Sequence, residues 1–104
     1  MARISLVSLR CVRRQDVTGK DEPEILIDGF QKWNGVIGKG ETVPLRPVFE
    51  DFGGRQSVTL TLRERNGPSN KVIGTRRVTA GHPDPQPVDF KTSGAHYELR
   101  YTLA

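Results

Sequence analysis

The stretch Ala95-His96-Tyr97-Glu98-Leu99-Arg100-Tyr101-Thr102-Leu103 decides the fold. Tyr97, Leu99, Tyr101 and Leu103 share one face of an extended chain, and His96, Glu98, Arg100 and Thr102 share the other. Alternation with period two is the mark of a half-buried β-strand. The pattern recurs at Val58, Leu60 and Leu62, set against Thr59, Thr61 and Arg63. A chain built from such strands buries one face of each and closes as a sandwich or barrel.

Working outward, the spacing predicts a first strand over 3–14. Its apolar phase slips between Leu6 and Val7, because Ile4 and Leu6 share one face while Val7, Leu9 and Cys11 share the other. One extra residue flips every side chain, so a bulge or a bend between sheets is expected there. A polar loop over 15–23 precedes a short strand over 24–28. Asp28-Gly29 marks a tight hairpin turn, and a strand over 30–36 follows with Trp33 as a buried anchor. One more strand is expected over 42–46, followed by a proline-interrupted stretch ending in Phe49 and Phe52; Pro44 and Pro47 cannot donate ladder bonds, which makes this region a sheet edge. A long strand over 56–65, a turn at Asn66-Gly67-Pro68-Ser69-Asn70 and a strand over 71–79 form a second hairpin. Pro83, Pro85 and Pro87 stiffen an exposed loop ahead of a short strand over 88–91. No helical period survives over 11 residues. The expectation is a single all-β domain over 1–104, an antiparallel β-sandwich of seven to eight strands.

The 104 residues suffice for one core without staples, burying about 65% of the unfolded surface. The single cysteine, Cys11, lies in the apolar alternation of the first strand and reads as an inert buried thiol. The N-terminus lacks the apolar stretch of a signal peptide, and no run reaches the 18 apolar residues of a membrane span. Cytoplasmic synthesis is therefore expected, with a place in a virion open. The net charge of +4 comes from scattered basic residues with acids between them. That pattern lacks the clustered cations and exposed aromatics of a nucleic-acid surface.

Catalysis needs a nucleophile, a base and a charge-stabilising group in one place. His82 falls in the proline-rich loop, His96 on the polar face of the last strand, and Cys11 on an apolar face without a local histidine. One cysteine and two histidines 14 residues apart do not have zinc-finger spacing. The glycine-rich run Gly35 to Gly40 lacks the Gly-Lys-Ser/Thr ending of a phosphate loop and reads as a connection. Asp16, Asp21 and Glu22 after the first strand, with Glu50 and Asp51 after Pro47, could gather carboxylates around Ca²⁺. The same residues also read as solvated acids balancing nearby arginines, and that reading is preferred. No catalytic, cofactor-binding or metal-ligating residue is assigned.

Four stretches resemble a family of small bacterial and phage β-sandwich domains related in shape to C2 domains. They are Leu6-Val7-Ser8-Leu9-Arg10-Cys11, Gly19 through Gly29 followed by Trp33, Val58 through Asn66 leading to Ile73-Gly74, and Gly94 through Tyr101. The resemblance implies an eight-stranded sandwich used for binding or scaffolding. In calcium-dependent C2 domains the loop after the long central strand supplies aspartates. Here that loop runs from Arg63 to Asn70 and offers two arginines and one carboxylate, a departure that argues against calcium.

The leading expectation is a non-enzymatic structural or interaction protein, a repeated subunit of a larger assembly such as a bacteriophage particle. Its expected partners are other protein subunits; nucleic acid and membrane are not, and no cofactor is expected. The alternative is a free cytoplasmic C2-like module recognising a protein or peptide, or, further down the order, calcium or anionic lipid.

Overall fold

A computed structural model describes residues 2–13, 21–65, 71–92 and 94–104. Among the described residues there are nine strands: β1 (Arg3–Arg13), β2 (Pro23–Ile27), β3 (Phe30–Asn34), β4 (Thr42–Pro44), β5 (Phe49–Asp51), β6 (Ser57–Glu64), β7 (Lys71–Thr79), β8 (Val88–Lys91) and β9 (His96–Leu103). One sheet runs β4-β1-β9-β8, with β5 also paired to β1; the other runs β3-β2-β6-β7. Every pairing is antiparallel. The all-β antiparallel sandwich is as expected, with β5 as the addition to the seven or eight strands. Three residues between a proline and a glycine pair are too few to show a period, so Phe49–Asp51 reads as loop until β1 supplies its partner.

The phase slip in β1 is a bulge. The β1–β9 register shifts between Leu6 and Ser8, so Ile4, Leu6, Leu9 and Cys11 all face the core. Opposite them Tyr97, Leu99 and Tyr101 are buried, and Val58, Leu60 and Leu62 fill the facing side from β6. The Asp28-Gly29 turn carries φ of 51° and 86°. Both residues are left-handed, as the tight turns that match strand twist require. The Asp28 carboxylate also accepts the Thr59 backbone N–H at 2.8 Å, tying the hairpin to β6.

Trp33 departs from expectation. It is half-buried, packed on the rim of the core, because β3 is the outer strand of its sheet and one side of the ring has no neighbouring strand. The proline-rich segment is exposed at His82, Pro83, Pro85 and Gln86, as expected for a loop, but it is fastened to β9. The Asp84 N–H donates to the Tyr101 hydroxyl at 2.9 Å, and the Tyr101 N–H donates to the Gln86 side chain at 2.8 Å. The turn at 66–70 and the loop over 14–20 lie outside the described residues.

At Gly74 on β7 the backbone packs close against Phe90 on β8. A Cβ there would stand 2.9 Å from Cδ1 of buried Phe90. Gly74→Ala is expected to cost about 1–3 kcal/mol by overpacking, read as a lower melting temperature with cooperativity retained.

Candidate functional site

The site begins with a sequence conflict at the edge of one sheet. β1 runs unbroken past its outer neighbour, but Pro44 and Pro47 interrupt the chain that should pair with it. The result is two short strands, with β4 pairing Ser8 to Arg10 and β5 pairing Arg3 to Ser5. Between them the Leu45 N–H donates to the Val7 carbonyl and the Leu6 N–H donates to the Val48 carbonyl, both at 3.0 Å. Leu45 is buried, while Arg46 and Pro47 turn outward.

That excursion leaves a cavity of about 360 Å³ over the outer face of the sheet. Ser5 and Thr102, register partners on β1 and β9, line it. Val7, Pro47, Val48 and Phe49 supply apolar walls, and Arg46 lines it too. Phe49 is 48% exposed, and the Arg3 guanidinium lies 4.3 Å from its ring centroid. A cation over the ring face holds the aromatic in place, and Asp51 anchors that cation at 2.8 Å.

A polar brace holds this edge against the other sheet. Arg55 donates to Asp28 at 2.6 Å, to Glu50 at 2.9 Å, and to the carbonyls of Asp51 and Phe52 at 2.6 and 2.8 Å. Lys32 on β3 reaches Glu50 on β5 at 2.6 Å. Lys32 first, and Arg55 after it, hold the Glu50 carboxyl below the usual carboxylate range.

The acidic residues that could have gathered around calcium are divided between the two ends of β1. Glu50 and Asp51 lie opposite Ile4 and Arg3. Asp21 is fully buried and accepts a hydrogen bond from the hydroxyl of Tyr97, whose register partner is Cys11. Eight residues of strand between Arg3 and Cys11 span about 26 Å, far beyond one coordination sphere. Glu22 is exposed, with its backbone N–H on the Glu64 carboxylate at 2.8 Å. Asp16 lies outside the described residues. Millimolar Ca²⁺ is therefore expected to leave the melting temperature unchanged, whereas a specific site would raise it.

One grouping went unseen in the sequence. Asp89 and Glu98 are register partners on β8 and β9, and with His96 their ligand atoms lie within 4.8 Å of one another. His96 pairs with Asp89 at 2.8 Å, and Arg10 reaches Glu98 at 3.4 Å. The His96 contact is the main cause holding the Asp89 carboxyl low. Each carboxylate already has its own partner, the His96 ring for Asp89 and Arg10 for Glu98, so the group forms a ladder of polar contacts across the sheet face. His82 is exposed in its loop, and Cys11 is buried.

Comparison with known proteins gives no matching family model and no matching curated protein. A solved structure described as "Structure of a C2 domain" superposes with a TM-score of 0.54 over 99% of this chain and 96% of that one. The fold is C2-like. Identity across the superposition is 14%, so the likeness carries the arrangement of strands and no residue roles. Among the described residues no helix is long and apolar enough to cross a membrane.

Proposed function

We propose that this C2-like chain is a non-enzymatic interaction module, a repeated subunit of a larger protein assembly such as a bacteriophage particle. Its partners are other protein subunits, and it is synthesised in the cytoplasm. The observation that carries the reading is the corner of the outer sheet face. There Phe49 stands half-exposed beside a cavity walled by Val7, Pro47 and Val48. Apolar surface held rigid at a sheet edge and left open to water is what a protein interface uses. The brace around Arg55 and Glu50 and the Arg3–Phe49 stack fix that corner in advance, which lowers the ordering cost of association.

The direct test is native size. Protein taken from its own source, run through size exclusion with light scattering, is expected to elute in a megadalton particle with identifiable co-eluting proteins. Elution as an 11.6 kDa monomer contradicts the assembly reading and favours the free peptide-binding module.

A further inference from the structure

Resting on the interaction-module reading, we propose that the corner cavity receives a large apolar side chain from an acidic segment of a partner protein. Arg46 and Arg100 take the flanking carboxylates.

About 360 Å³ lies at the low end of ligand cavities. It suits one or two side chains and is too small for a folded element. Val7, Pro47, Val48 and Phe49 make most of its walls apolar, with Ser5, Thr102 and Arg46 as the polar part, so an apolar side chain with polar groups beside it fills it best.

Charge then selects the segment. Most arginines of the described surface are spoken for: Arg3 by Asp51, Arg10 by Glu98, Arg55 by Asp28 and Glu50, Arg63 by Glu24, Arg76 by Asp84. Arg46, which lines the cavity, has no acidic partner among the described residues. Neither has Arg100. It lies opposite Ser8, on the same face as Thr102 and about 7 Å along the strand from it. The uncompensated Arg46 guanidinium in the lining, with Arg100 further along the same face of β9, favours carboxylates and disfavours lysines. An anionic lipid headgroup could meet the arginines but would leave the apolar walls unfilled, so a protein segment fits the whole site better.

The test uses the isolated protein and synthetic peptides, followed by amide chemical shifts. Acetyl-Asp-Glu-Phe-Asp-Glu-amide is expected to give saturating shifts at Val7, Val48 and Phe49. The version with Ser in place of Phe, and the version with Lys at every acidic position, are expected to give none. Arg46→Glu, an exposed residue without a partner, should leave the melting curve unchanged and weaken binding at least tenfold. Three results overturn the proposal: no saturating shifts, equal binding of the basic peptide, or saturating shifts at the same amides with phosphatidylserine vesicles and none with the acidic peptide. Failure here with a native megadalton particle in hand sinks this assignment alone. A monomeric native protein that still binds the acidic peptide sinks the assembly reading alone.

Discussion

Leu60→Asp is expected to leave the chain unfolded. Leu60 lies mid-strand in β6 with no exposure, against the same interior spot as Leu9, Ile25, Phe90 and Leu99. Losing a buried leucine costs about 2–5 kcal/mol. Enclosing a carboxylate without a partner adds several kcal/mol. Together these come to roughly 5–10 kcal/mol, comparable with the roughly 5–15 kcal/mol by which a domain is stable. Thr59→Asp is the control: Thr59 is exposed, and its register partner is Arg77. That variant should stay within about 1 kcal/mol of the parent. Circular dichroism and thermal melting separate the two. A soluble Leu60→Asp protein with a cooperative melt would overturn the strand register.

Tyr97→Phe is expected to cost about 2–3 kcal/mol, because it strips a buried carboxylate of a donor. The Tyr97 hydroxyl donates to Asp21, and both residues are fully buried. Asp21 also exchanges two backbone hydrogen bonds with Ile37, which hold its main chain in place, and its side chain is enclosed from water. The same contact gives a pH signature. Burial chiefly, then the Asp21 carboxylate, raises the Tyr97 pKa above its ordinary value of 10.0. A raised folded-state value means the neutral hydroxyl is the form that folding favours. Its contribution is complete below pH 10 and lost as pH climbs above it, when the unfolded chain releases a proton that the folded chain keeps. In chemical denaturation the parent should lose stability more steeply above pH 10 than Tyr97→Phe, by about 1.4 kcal/mol per pH unit. Parallel curves for the two proteins would refute the buried donor.

The two predictions differ in how far the sequence foretold them. Leu60 declares itself: Val58, Leu60 and Leu62 alternate with polar neighbours, and a period of two needs no knowledge of the rest of the chain. The bulge in β1 and the Asp28-Gly29 hairpin are equally local and equally readable. Asp21 is the opposite case. It follows a polar stretch and looks solvated, yet its partner Tyr97 is 76 residues away. Only the crossing of strands brings them together.

Long-range pairing hid the site in the same way. Ser5, Val7, Arg46, Phe49 and Thr102 come from three segments, each of which reads as ordinary strand or turn. Pro44 and Pro47 announced an edge, but the cavity exists because β1 continues straight while its neighbour is interrupted. Charge was misleading for a related reason. Arg46 looks like any other scattered cation until pairing elsewhere shows which arginines are already satisfied.

The central claim is that the chain works by the corner formed by Val7, Pro47, Val48 and Phe49. Hydroxyl-radical footprinting of the native assembly against the released subunit tests it at side-chain level. Phe49 is 48% exposed and Val72 on the distant β7 edge is 51% exposed, so the two begin nearly equal in access. A several-fold loss of oxidation at Phe49 is expected in the assembly, with Val72 as reactive as in the free subunit. Unchanged oxidation at Phe49, with protection elsewhere on the surface, would contradict it.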